Sequence, residues 1–405
     1  MQYYSFSYSI PYMLFFLISF SFCINNTNSG NQLTVKAHRM FSLYALFFIF
    51  IFFIGFRGYI YTDWNVYGKV FEETPSFFSI REKRDNFLKK HDSWNIGYLY
   101  FTIFCKTISS NYFVFQAISF IIDFIILYYF FKYYFIDIKL IFMSFVFFFL
   151  FGGVLGFGLE VNLMRNAKAM MCFLVSIRYI EKKKIQFFLF LNLLGFTFHT
   201  IALLFLPFYF ILNKSFPRRL ILLLFIIGNG IYLLHIQWLK EFLQFFNESI
   251  HTPFYSLIEV YLRMKKYSGE WGLSVGYIER TFSFLAVFLF EKRLLEHNKK
   301  NKIIINSFYI FIFIYLYCSE ISIILNRVGL LFSFGYWILF PQIYFLTSGK
   351  RKKYFLLIFL IYGLLKCSTC NSLFFHYENA LLPHKTYEQR YPLMKNFSNY
   401  LDDQL

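Results

Sequence analysis

The chain is 405 residues long, 58% hydrophobic and 25% aromatic, with 63 phenylalanines and only 15% charged residues. A soluble chain of this length carries about a quarter charged residues and divides into separate cores, so disorder and an ordinary soluble protein are both excluded. Lys and Arg outnumber Asp and Glu by 40 to 22, a formal charge of +18, yet the basic residues fall in short clusters between apolar blocks, which is the pattern of membrane orientation and not of a nucleic-acid face.

The composition predicts an all-α polytopic integral membrane protein with about 10–12 transmembrane helices, a single multi-span domain over 1–370 and an outer carboxyl-terminal tail over 371–405. Apolar stretches of roughly 20 residues predict spans at Tyr3–Ile24, Met40–Phe56, Tyr112–Phe131, Leu140–Phe157 and Leu163–Ile180. Further spans are expected at Arg219–Leu234, Gly276–Phe290, Ile303–Cys318, Arg327–Leu346 and Tyr354–Cys370. No Lys or Arg precedes the first span, so it is expected to remain as a helix and not to be cleaved as a leader.

Short basic loops lie at Lys36 and Arg39, Lys132 and Lys139, Glu181 to Lys184, Lys214 to Arg219, Glu291 to Lys302, and Gly349 to Lys353. Placing all six in the cytoplasm leaves the amino terminus, two large loops at 57–95 and 235–275, and the tail outside. On that topology an impermeant thiol reagent should reach Ser256→Cys from outside and miss Lys183→Cys. The block Ile185–Leu212 then starts and ends inside. As one straight helix it would measure roughly 40 Å against a core of about 30 Å, and Thr197, His199 and Thr200 interrupt it, so a re-entrant or broken helix pair is expected. Such backbone survives at membrane depth only when buried in protein or lining a wet cavity. Trp94–Ile108 is too short to span and carries Lys106, which places it at the outer interface.

Arg165 and Lys168 sit near the outer end of their span, where Asn162, Arg165, Asn166 and Ala169 share one helical face. A membrane-embedded charge costs about 2.5–3.5 kcal/mol at the centre, so the stripe should line a cavity, and a guanidinium there suits an anion. The plain alternative is an Arg165 that snorkels to headgroups or pairs with Glu160. His199, at the break of its block, suits proton transfer or a hydrogen bond to phosphate or sugar hydroxyl, although a lone histidine is commonly just a satisfied polar residue.

Arg327 is expected to open a span, with a salt bridge to Glu320 as the plain reading. Arg57, followed by Asp63, Trp64 and Tyr67, combines cation, acid and aromatics at a membrane surface, which fits sugar stacking with phosphate contact and equally fits an aromatic belt. Asp123 is a mid-span carboxyl able to pair with a cation or hold a proton. Cys367 and Cys370 lack a second ligand pair and read as packing, the mixed-sign run at 81–85 reads as a solvated loop, and no phosphate loop, metalloprotease helix or nucleophile elbow occurs. No metal or cofactor is called for.

The order of these features is distinctive. Gly55 to Tyr67 with its Arg57 and Asp63, the segment Trp94 to Lys106 followed by Asn111-Tyr112-Phe113, Leu159 to Ala167 around Arg165, and Phe196 to Tyr209 around His199 together resemble the EpsG family, with Arg327 matching a late arginine. These are Wzy-like membrane polymerases of O-antigen, capsule and exopolysaccharide.

The resemblance implies an enzyme of the bacterial inner membrane that joins polyprenyl-diphosphate-linked oligosaccharide repeats at the outer face. It carries over Arg57, Asp63, Arg165, His199 and Arg327, with catalytic roles for Arg165, His199, Arg327 and Asp63 and a substrate contact at Arg57, while Tyr67, Asn162 and Lys168 are further expected substrate contacts read from the residues themselves. His199 and Arg327 are expected to face one outward-opening cavity. Besides the lipid-linked oligosaccharide and the bilayer, a flippase and a chain-length regulator are the expected partners, and no nucleic acid. The chain departs from the family in carrying Asn166 where Gln is frequent and Asn95 where Glu is frequent, leaving Asp63, Glu160 or Asp92 as the carboxylate. Two other readings share the composition: a flippase for the same lipid-linked oligosaccharide, whose charges should spread through repeat-related halves, and a polyprenyl-phosphate-dependent glycosyltransferase or ligase.

Overall fold

The computed structural model describes residues 3–24, 32–79, 87, 89–90, 95–151, 155, 157–250 and 271–402. Asp92, Trp94, the 81–85 run and Ser256 lie outside the described residues. Within them the protein is all-helical, with two isolated bridges and no strand. The chain forms two compact units, Met1–Tyr209 with Thr347–Asp403, and Phe210–Leu346.

The first unit is built on α1 (Ile10–Ile24), α2 (Gln32–Phe50), α3 (Trp64–Glu73), α4 (Ile96–Ile108), α5 (Tyr112–Tyr134) and α6 (Ile138–Leu150). It continues through α7 (Gly158–Asn162), α8 (Met164–Glu181) and α9 (Ile185–Phe198), and later regains the chain. Lipid tails are as apolar as leucine, so helices in a bilayer are held by close packing and ring contact more than by water exclusion. The phenylalanines supply that contact. Phe15 stacks on Phe53 at 4.2 Å, and Phe124 on Phe145 at 4.2 Å. Small residues let backbones approach: a Cβ on Gly195 of α9 would lie 3.3 Å from the Ala169 carbonyl of α8, and one on Gly97 of α4 would overlap Thr197.

In the second unit, α10 (Arg218–Leu233), α11 (Trp238–Ile250), α12 (Val275–His297) and α13 (Asn301–Tyr317) precede the short α14 (Ser322–Arg327) and then α15 (Phe334–Leu346). Buried amides tie α13 and α15 together: Gln342 donates to Asn301 at 2.9 Å and receives a bond in return. Glu320 accepts from the Leu239 and Lys240 backbone N–H groups at 2.9 Å each, a carboxylate capping the start of α11.

Among the described residues, three helical stretches are long and apolar enough to cross a membrane: Phe6–Ile24, Tyr112–Tyr134 and Gly329–Leu346. Six shorter apolar stretches, among them Ile138–Leu150, Ile185–Phe198 and Asn301–Tyr317, accompany them. Several boundaries differ from the sequence expectation. The helix expected over Leu140–Phe157 ends at Leu150, where Phe151 turns extended. The span expected from Leu163 starts one residue later, because Leu163 itself leaves helical geometry. Arg327 does not open a span but closes α14. The Ile185–Leu212 block is broken where its polar trio interrupts it: α9 stops at Phe198, His199 is extended, and a 3-10 helix runs Thr200–Phe205.

The tail folds onto the first unit. α16 (Lys350–Ser368) packs on α1, where a Cβ on Gly363 would overlap the Phe16 ring, and α17 (Tyr387–Asp402) closes the described chain. Between them lies an ionic knot. Burial pushes the Glu378 carboxyl up, but Lys385, bonded at 2.8 Å, and the Arg390 charge outweigh it and hold the group below its ordinary range. Burial, then Arg390 and Lys385, likewise lower His376 against the opposing pull of Glu378. Both groups resist protonation when docked, so docking is complete above the free histidine value of about 6.5 and weakens as pH falls below it. Protection of tail amides, measured as exchange relative to the intrinsic rate at each pH, should fall between pH 7 and 5. Flat protection across that range would contradict the coupling.

Candidate functional site

The site begins at a helix start that the sequence leaves uncapped. α7 and α8 meet at Leu163, whose backbone sits at φ −121°, ψ 39° and whose alkyl side chain offers no capping acceptor. The first N–H groups of α8 therefore have no side-chain partner from the N-cap, and the helix presents the positive end of its dipole there. Arg165 lies in that first turn. Asn166 is 4% exposed, and among the described residues its Nδ2, like Oδ1 of the half-buried Asn162, has no hydrogen-bond partner. A helix start with an arginine and two asparagine side chains is a general anion-binding arrangement.

Arg165 reaches across to α3, where the Tyr67 phenol takes a hydrogen bond from it and also lies within electrostatic reach of Asp63. Asp63 starts α3 with its carbonyl, accepting from Val66 and Tyr67 N–H at 3.0 Å each, while its carboxylate is not used as a cap and takes a bond from Thr62 Oγ1 at 3.0 Å. The Tyr67 ring lies 5.9 Å from that of Tyr98 on α4. Phe71, Phe115 and Met164 complete the apolar wall behind them. Asp63, Tyr67, Asn162 and Arg165 thus share one neighbourhood, assembled from three elements of the first unit.

Behind this group runs a buried polar chain. Lys168 pairs with Asp123, donates to the Ser119 carbonyl at 2.9 Å and sits 5.3 Å over the Phe101 ring. Asp123 faces Glu160. Among the described residues Oδ1 of the one and Oε1 of the other lack a donor, and two carboxyl oxygens bond only through a proton that one of them carries. Arg57, 2% exposed, donates to the Ile54 carbonyl at 2.7 Å and the Glu160 carbonyl at 2.6 Å. Its guanidinium ties the end of the α2 segment to the turn that feeds α8. Of the four expected substrate contacts, Tyr67 and Asn162 therefore stand beside Arg165, whereas Arg57 and Lys168 point into protein.

His199 fills the break after α9. Its Nδ1 accepts the Ile201 N–H at 3.1 Å, so the ring caps the 3-10 helix. With Nδ1 holding a lone pair, the neutral ring carries its proton on Nε2, which makes that nitrogen a donor. His199 belongs to the first unit and Arg327 to the second. Arg327 is exposed, and Glu320 is engaged at α11, so the anticipated Glu320 bridge does not form. A cavity of about 410 Å³ between α5 and α8 is lined by Tyr129, Lys132, Tyr133 and Arg178 among others, and by none of the site residues. Cys367 and Cys370 are buried free thiols.

Sequence reasoning did not single out Tyr98. The period of α4 marks it only as another aromatic, and nothing local links it to Tyr67.

The EpsG family model matches residues 40–386. The chain therefore belongs to the EpsG family, whose members are Wzy-like polymerases of polysaccharides. No curated protein and no solved structure matches it. Family membership together with the apolar helices makes this a membrane protein of polysaccharide biosynthesis.

Proposed function

We propose that this EpsG-family chain polymerises polyprenyl-diphosphate-linked oligosaccharide repeats into a surface polysaccharide, at the outer face of a bacterial inner membrane. The observation that carries the reading is the uncapped start of α8 with Arg165 beside Tyr67 and Asp63. In the reaction a hydroxyl oxygen of one repeat forms a bond to the anomeric carbon of a lipid-linked chain. The bond from that carbon to the diphosphate breaks, and polyprenyl diphosphate leaves with the electron pair.

Charge therefore builds on the diphosphate in the transition state. Arg165 can meet it with a two-pronged contact, and the N–H groups at the start of α8 add fixed dipoles that need no reorganisation. Asp63 takes the hydroxyl proton as its oxygen attacks, a modest requirement when the leaving group is good. His199 offers Nε2–H to a phosphate or sugar oxygen while Nδ1 holds its cap. Arg57 and Lys168 hold the frame through the Glu160 and Asp123 contacts.

Placement is testable apart from chemistry. In a background with the native cysteines replaced, an impermeant thiol reagent added outside should label Leu273→Cys and not Lys183→Cys. The reverse pattern would overturn the outward site. In cells lacking the protein, single-repeat lipid-linked oligosaccharide should accumulate on the outer leaflet. Accumulation on the cytoplasmic leaflet instead would favour a flippase.

A further inference from the structure

Asp63 follows a turn, Phe56 to Thr62, that has little reason to hold its shape alone. Tyr61 lies at φ 67°, the left-handed region that a bulky residue occupies only when its surroundings enforce it. The enforcing contacts come from more than 300 residues away in sequence. Tyr61 N–H donates to the Phe374 carbonyl at 2.8 Å, Gly58 N–H to the Glu378 carbonyl at 2.8 Å, and Ala380 N–H to the Phe56 carbonyl at 2.8 Å. Gly58 suits the close approach: a Cβ there would stand 3.2 Å from the Glu378 carbonyl oxygen, tighter than most such contacts. Asn379, 3% exposed, donates to the Phe52 carbonyl at 2.7 Å.

Arg390 completes the hold. It is 2% exposed, and its guanidinium reaches the Tyr59 carbonyl from Nε at 3.1 Å and the Leu373 carbonyl from Nη2 at 2.9 Å. Nη2 also donates to the His376 carbonyl at 3.3 Å, and Nη1 stands 3.3 Å from His376 Nδ1. One side chain thus ties the tail to itself and to the turn. The same turn carries Arg57, whose guanidinium holds the Glu160 carbonyl two residues before Asn162. Hydrogen bonds therefore connect the tail to the turn and the turn to α7, whose backbone leads into α8.

We propose that the carboxyl-terminal segment from Leu373 to Arg390 is a working part of the site, and that Arg390 is a positioning residue which, through the Tyr59–Tyr61 turn, sets Asp63 and Tyr67 against Arg165. The inference rests on the polymerase reading only for what it predicts about turnover. The backbone coupling can be read without it.

The test uses the full-length chain in lipid nanodiscs with a polyprenyl-diphosphate-linked repeat, comparing the wild type with Arg390→Ala, Arg390→Lys and Asn379→Ala. Hydrogen exchange of the peptide covering Gly58 to Asp63 should speed up in Arg390→Ala while that covering Ile96 to Ile108 stays protected. Turnover should fall about 10-fold or more, with KM for the repeat nearly unchanged, because a small misplacement of reacting groups costs rate more than binding. Lysine can supply one of the contacts and should recover part of the rate. Asn379→Ala should give the same signature more weakly, and it carries the test if Arg390→Ala does not accumulate. Unchanged exchange at Gly58 to Asp63, or faster exchange with wild-type turnover, overturns the proposal. A wild-type chain that forms no polymer sinks the function reading, and the exchange comparison still decides whether Arg390 sets the turn.

Discussion

Arg165→Ala is expected to abolish polymer while the protein inserts and accumulates normally. Removing a charge that costs up to about 2.5–3.5 kcal/mol in the membrane cannot hinder insertion, whereas losing the donor aimed at developing diphosphate charge should cost about 10²–10³-fold in turnover. Arg165→Lys should recover a fraction, since a point charge lacks the planar fork and also loses part of the Tyr67 contact. Single-repeat lipid-linked oligosaccharide, quantified by mass spectrometry, should rise as polymer falls. Polymer of wild-type length from Arg165→Ala would reduce the residue to an anchor at the headgroups.

The second large effect concerns Lys168. Its ammonium pairs with Asp123, which is fully buried, so Lys168→Ala strands a buried carboxyl beside Glu160. Breaking a buried pair from one side typically costs about 3–5 kcal/mol, while replacing both partners with apolar groups of similar volume is often neutral. Lys168→Ala should therefore unfold at lower temperature in nanodiscs, and Lys168→Met with Asp123→Leu should recover much of the loss. Polymerisation separates the frame from the site. A stable double variant that still polymerises gives Lys168 a structural role. A stable double variant without activity returns it to the substrate contacts that the sequence suggested.

How far the sequence spoke for the structure can be traced through these residues. The apolar blocks and sparse charge dictate an all-helical membrane protein, and the break at His199 is visible because Thr197, His199 and Thr200 fall together inside an otherwise apolar run. Arg165 is visible for the same reason, as a charge where charge is expensive. The break at Leu163 has no such mark. Asn162, Arg165, Asn166 and Ala169 fit one helical face across it, yet Leu163 leaves helical geometry. Arg327 reads as part of the following span because the apolar run Val328–Leu346 extends back to it, whereas α14 ends at Arg327 and a separate 3-10 helix runs Gly329–Phe332. The Asp123 to Lys168 pair and the Arg390 to Tyr59 contact join positions 45 and 331 residues apart. Periodicity carries no information at that range, so the frame is hidden in the sequence, whereas the candidate residues Arg165, His199 and Asp63 are visible in it.

The most direct measurement is the stoichiometry of product and leaving group from the purified full-length chain in nanodiscs supplied with one polyprenyl-diphosphate-linked repeat. A ladder of lipid-linked oligomers should appear, with one polyprenyl diphosphate released for every new glycosidic bond and neither formed by Arg165→Ala. Repeats that remain single, with no diphosphate lipid released by the active wild-type preparation, would contradict the account.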